Sequence, residues 1–168
     1  MSATRTSLRD YQRQLSARLA NQETRQAVSK LGIRACGESW LVDLADAGEV
    51  IPLPAIVPVP LMRPWLRGVA NVRGKLCSVV DFSAFAGGAP TATDQRARLL
   101  LIGERYRMSA GLLVEAVLGL YRDEDFSDEP DMPAKWSKAR YRDQQGNAWK
   151  QLDVDALTSH PEFLQAGI

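Results

Sequence analysis

One histidine, His160, stands in the whole chain, directly before Pro161 near its end. A single imidazole near the chain's end excludes a multi-histidine metal site and argues against a Cys-His or Ser-His nucleophile. Its place beside a proline predicts a solvated loop residue. The two cysteines, Cys36 and Cys77, form no Cys-x-x-Cys pair. They imply no disulfide framework and are expected as buried thiols in a reducing compartment. Paired carboxylates can hydrolyse glycosides at suitable separations. Asp43, Asp46, Asp81 and Glu115 are candidates by type, but nothing in the sequence pairs them. There is no GxSxG, HExxH or P-loop, and Gly111 and Gly119 do not have a phosphate-cradling spacing. The expectation is a chain with no catalytic residue, no metal and no cofactor.

The elements that carry these residues are short. Leu8, Tyr11, Leu15 and Leu19 recur at spacings of three and four, which predicts a helix over Ser7–Lys30 with a narrow apolar stripe. From Leu31 the texture changes to strands. Gly32–Gly37 and Ser39–Leu44 read as a hairpin about Gly37-Glu38, and Glu49–Ile51 as a further strand. Pro52, Pro54, Pro58, Pro60 and Pro64 then remove backbone donors, so this stretch reads as a surface crossing that ends at Trp65 and Leu66. Ala70–Val72 and Leu76–Phe82 form the next hairpin, with Gly74 in the tight turn. Ala86–Thr93 is a seam. Ala97–Ile102, Tyr106–Ala110 and Gly111–Val117 read as strands, and the acidic Asp123–Asp131 as an exposed loop. Trp136–Asp143 and Ala148–Val154 make another hairpin, and Asp155–Leu164 a closing helix. Trp40, Trp65, Trp136 and Trp149 are expected in cores or at a lobe junction, with Trp65 the best placed to line a partner groove.

The chain has 168 residues and a formal net charge of +1. That length suits one domain or two small lobes. The near-neutral charge argues against nucleic acid as the main ligand. The N-terminus lacks an apolar signal segment, and the longest apolar-looking stretch, Val50–Leu61, holds four prolines and is too short to span a bilayer. A cytoplasmic protein without membrane insertion is expected. Many short strands indicate a mainly β chain of small barrels. Residues 1–30 form a helical extension. Lobe one covers about 31–87 and lobe two about 96–154, within a domain of 31–164.

The segment Gly68–Phe82, GVANVRGKLCSVVDF, resembles the hallmark of CheW-like domains, a Gly-Val-x-Asn-Leu-Arg-Gly turn leading into a Pro-Val-x-Asp strand. Asn71, Arg73, Gly74, Val80 and Asp81 match; Val72 replaces Leu and Ser78 replaces Pro. Gly48–Ile51, Leu112–Leu120 and Leu152–Leu157 resemble three further pieces in the family's order, with Glu115 in an Asp place. The proline-rich approach VPLMRPWLRGVANVRG and the N-terminal extension are similar to the pilus-type adaptors of twitching motility. The resemblance implies two SH3-like five-stranded barrels. It also implies a non-catalytic scaffold joining the cytoplasmic tip of a methyl-accepting chemoreceptor to a CheA-type histidine kinase at membrane receptor arrays.

On that resemblance the protein-binding residues are Glu49, Arg67, Asn71, Arg73, Gly74 and Leu118. Arg73, on a turn, has a planar fork suited to an acidic helix, with Arg67 and Arg63 extending the patch. Asn71 and Gly74 also serve the turn itself, and Arg73 could instead pair with Glu49 or Asp81. Leu118 belongs to a set, with Leu112, Val114 and Val117, read mainly as core; an exposed member would suit the kinase contact. The competing reading is a small-barrel module that binds nucleic acid or a peptide directly, which would gather Arg, Lys and aromatics on strand faces.

Overall fold

A computed structural model describes residues 28–130 and 134–167, together with 12–14 and 16. The expected helix over Ser7–Lys30 lies mostly outside the described residues; 12–14 and 16 are helical, whereas Lys30 already opens the first strand. Eleven strands follow. They are β1 (Lys30–Ala35), β2 (Glu38–Asp43), β3 (Ala47–Pro52), β4 (Leu66–Val72), β5 (Lys75–Asp81), β6 (Arg98–Ile102), β7 (Ala110–Val114), β8 (Ala116–Tyr121), β9 (Phe126–Asp128), β10 (Ser137–Asp143) and β11 (Ala148–Leu152). Three short helices complete the order: α1 (Phe82–Phe85), α2 (Val154–Ser159) and α3 (Pro161–Leu164).

Two sheets form. One runs β8-β1-β2-β11-β10-β9 and the other β3-β6-β7-β5-β4. Neighbours are antiparallel except β2 with β11 and β5 with β7. The strands therefore interleave along the chain and do not divide at residues 87–96. β1 and β2 join the late strands β8–β11, while β6 and β7 complete the sheet begun by β3–β5. The two parallel pairings impose this exchange, because a parallel neighbour must arrive by a long crossover.

Both sheets roll. Laid flat, β3 and β4 would stand about 19 Å apart across four strand spacings. Yet Arg73, on the turn after β4, reaches Glu49 of β3 at 2.5 Å. All five strands also feed one interior: Ile51, Val72, Val79, Leu99 and Leu113 come from β3, β4, β5, β6 and β7. Leu53 and Ile56 of the proline crossing plug it. In the other sheet the edges β8 and β9 bring Tyr121 and Phe126 to 5.5 Å between ring centroids. Gly32 leaves room for that curl, since a Cβ there would stand 2.5 Å from the Tyr121 ring. This sheet has six strands where five are expected, because β9 forms inside the acidic stretch read as a loop.

The sheets pack on each other through a second core. Leu31, Ile33, Trp40 and Val42 face Val80, Phe82, Leu100, Leu112 and Val114. Alternate residues of the five-stranded sheet thus point into different cores, Val79 to one and Val80 to the other. Burial on both faces explains the unbroken apolar runs RLLLI and AGLLV.

Three further expected elements differ. Gly111–Val117 is not one strand: β7 ends at Val114 and β8 begins at Ala116. Tyr106–Ala110 is not a strand: Glu104–Tyr106 is a 3-10 turn closed by Arg107 in the left-handed region. The closing helix is two helices broken at His160, because Pro161 has no amide to continue the first.

Candidate functional site

The hairpin between β4 and β5 is tighter than its sequence suggests. Its turn has two residues, Arg73 (φ 52°) and Gly74 (φ 83°), with Val72 opposite Lys75. Two consecutive positive φ values are what a two-residue hairpin matching the sheet's twist requires. Asn71 Oδ1 accepts the Gly74 amide at 2.7 Å and locks the turn. Arg73 then projects with 75% of its side chain exposed, and Glu49, 43% exposed, takes its guanidinium. The β1–β2 hairpin repeats this geometry at Cys36 (φ 57°) and Gly37 (φ 69°), one residue before the expected turn.

Glu49, Asn71, Arg73 and Gly74 thus meet at one end of the five-stranded sheet. An exposed ion pair contributes about 0–1 kcal/mol, so an incoming carboxylate can displace Glu49 at little cost. Leu76, beside the turn on β5, is 70% exposed and joins this end. Two-residue alternation puts Leu76 on the face of the buried Val80, so nothing in the sequence pattern marks it as exposed.

Arg67 does not extend the patch. Six residues along β4 from Arg73, it lies about 20 Å away in extended chain. Its Nη1 donates to the fully buried Asp81 Oδ2 at 3.0 Å. Asp81 also accepts from the Thr91 amide (2.8 Å), the Thr91 hydroxyl (2.7 Å) and the Ala84 amide (3.3 Å). One carboxylate therefore caps α1, pins the Thr91 loop and engages Arg67. That settles Arg73's partner as Glu49 and not Asp81. Arg63 lies on the proline crossing, its amide bonded to the Ala166 carbonyl.

Leu118 sits apart, on β8 of the six-stranded sheet, half-buried at an open cleft. Leu112 and Val114 are core, as expected. Glu115 breaks β7 from β8; its Oε1 accepts the Gly37 amide at 2.9 Å and so braces the β1–β2 turn. Trp40, Trp136 and Trp149 are buried. Trp65 is half-buried and packs edge-on against Phe85 at 4.9 Å, in a cluster with Trp136 and Phe163. It lines a groove of about 500 Å³ with Met62, Met108 and Leu164.

His160 is not a solvated loop residue. Its ring stands edge-on to Trp136 at 4.8 Å, and its Nδ1 accepts the Glu162 amide at 3.3 Å as the cap of α3. Cys77 is buried, while Cys36 is only half-buried on its turn. Burial pushes both thiols up from their usual range. Polar links tie the sheets: Ser83 Oγ accepts the Cys36 amide at 2.8 Å, and buried Asp46 accepts from Tyr106 and Arg105 at 2.9 and 3.1 Å. No helix among the described residues is long and apolar enough to cross a membrane.

Comparison with known proteins agrees with this architecture. The family model of the CheW-like domain matches residues 30–162. Protein PilI of Pseudomonas aeruginosa is 30% identical over 164 residues, covering 93% of this chain and 90% of that protein. Chemotaxis protein CheW of Thermotoga maritima is 28% identical over 68% of this chain and 77% of its own length. The crystal structure of the scaffolding protein TtCheW from Thermoanaerobacter tengcongensis superposes with a TM-score of 0.62 at 18% identity. It covers 76% of this chain and 90% of that one, and it speaks for the fold alone.

Proposed function

The chain belongs to the CheW-like domain family, and we propose that it is a non-catalytic scaffold coupling a methyl-accepting chemoreceptor to a CheA-type histidine kinase. The pathway would be a chemotaxis-like one controlling type IV pilus twitching. The observation that carries this reading is the near-full-length similarity to PilI, which includes the region ahead of the family domain. In this reading Arg73 and Glu49 present an exchangeable ion pair to an acidic receptor helix, and Leu76 supplies an apolar contact beside it. Asn71 and Gly74 hold the turn in the conformation that aims Arg73 outward. The barrels are the rigid mount.

A charge swap tests the Arg73 assignment. Arg73→Glu should abolish retention of the chain on a receptor-tip fragment. Arg73→Glu with Glu49→Arg restores the internal pair. If Arg73 contacts the receptor, the double variant still fails to bind. If the pair only supports the hairpin, binding returns and the contact is refuted.

A further inference from the structure

The six-stranded sheet carries a second surface, apart from the Arg73 end. An open cleft of about 930 Å³ lies where the β1–β2 and β10–β11 turns share one end of the rolled sheet. Leu118 and Tyr121 of β8 line one wall, and Arg140 and Arg142 of β10 the other; Trp149 is part of the lining between them. Most charges here are matched internally. Arg142 Nε donates to Glu129 at 2.7 Å, and Lys150 pairs with Glu38 at 2.5 Å. Asp143 accepts from the amides of Gln145 and Asn147, both at 2.9 Å, from Asn147 Nδ2 and from the Trp149 indole, both at 3.0 Å. Those donors hold its carboxyl near 2.

Two guanidiniums remain. Arg34 reaches only its own turn, donating to the Gly37 carbonyl at 3.3 Å, and Arg140 meets no carboxylate among the described residues. Beside them β8 is an edge strand, laddered to β1 on one side and to no described strand on the other. A strand edge unpaired among the described residues, beside a mostly polar cleft with Leu118 and Tyr121 on its wall, accepts extended chain, and unmatched guanidiniums select carboxylates on it. The chain's own residues 1–27 are a poor occupant. They carry Arg5, Arg9, Arg13, Arg18 and Arg25 against Asp10 and Glu23, the same sign as the cleft.

We propose that this cleft docks an extended acidic segment of a partner protein, added alongside β8, with Arg34 and Arg140 meeting its carboxylates and Leu118 and Tyr121 its apolar side chains. The site is separate from the Arg73 end and does not depend on which receptor or kinase is coupled.

The test uses the full chain and two acetylated eight-residue peptides, one alternating Glu and Val, the other Lys and Val. The readout is the Trp149 indole N–H resonance, assigned with Trp149→Phe. The acidic peptide should shift it saturably, and Arg34→Glu with Arg140→Glu should weaken binding at least about tenfold. Arg73→Glu should leave this binding unchanged, which separates the cleft from the receptor reading. Preserved dispersion of the other Trp indoles shows that the double variant folds. No saturable shift up to millimolar peptide, equal response to the Lys peptide, or unchanged affinity in the double variant would overturn the proposal. So would self-association of the chain that competes with the peptide, which would assign the cleft to a second copy.

Discussion

At the residue scale, two carboxylates carry more of the structure than their sequence context announces. Asp81 has no exposed surface and gathers four donors from Arg67, Thr91 and Ala84. Removing one partner of a buried pair leaves the other uncompensated, and the helix cap goes with it. Asp81→Ala should therefore cost about 3 kcal/mol in urea unfolding, whereas Arg73→Ala, an exposed pair, should cost under about 1 kcal/mol. Asp143 is an acid-sensitive group, as are Asp43 and Asp94, whose carboxyls are also held below their usual range. Hydrogen bonds from Asn147 and Trp149 hold the Asp143 carboxyl at about 2, below the unfolded value of about 3.9. A lowered folded pKa gives stability that is present above pH about 4 and lost as pH falls toward 2. The difference in unfolding free energy between wild type and Asp143→Asn should thus shrink across that window; a constant difference would refute the assignment. Asp81's family position was legible in the sequence, but its partner was not. Arg67 is fourteen residues away in the chain, and only the β4–β5 register brings the two together.

At the element scale, the hairpin and the proline crossing explain one another. Gly68 lies where the crossing touches β4: Val57 and Val69 exchange backbone hydrogen bonds at 2.8 and 2.9 Å. A Cβ on Gly68 would stand 2.1 Å from the Val57 carbonyl oxygen, at a φ of 137° that L-residues avoid. Gly74 also has positive φ, but open space surrounds it. Gly68→Ala should consequently destabilise by about 3 kcal/mol or more, and Gly74→Ala by about 1 kcal/mol. Equal costs in parallel urea titrations would refute the close approach as the reason for Gly68. The turn residues Arg73-Gly74 and the prolines were readable because both act locally. The three-residue β9 and the 3-10 turn at Glu104–Tyr106 were not. The first depends on Tyr141 brought opposite Asp128, and the second on Asp46, which takes Tyr106 and Arg105. The helix break at His160 needed only Pro161, a local signal that the expected single helix ignored.

At the scale of the whole molecule, the two rolled sheets share one core and trade strands, so neither chain half is a unit by itself. Alternation and turn signals revealed a mainly β chain of short strands. They could not reveal the parallel pairings β2 with β11 and β5 with β7, which are long-range and leave no local mark. The expected binding residues were scattered by the same topology: Glu49, Asn71, Arg73 and Gly74 converge, Arg67 turns to Asp81, and Leu118 goes to the other sheet. The result is a pair of sheets on one shared core with separate surfaces on each, a form suited to holding proteins together. The central claim is that the chain couples a receptor to a kinase. The most direct test measures autophosphorylation of the CheA-type kinase from the same organism, mixed with its chemoreceptor in vesicles, with and without this chain. The account predicts that kinase activity responds to receptor ligand only when the chain is present, and that Arg73→Glu removes the response while the variant stays folded. A response of equal size without the chain would contradict it.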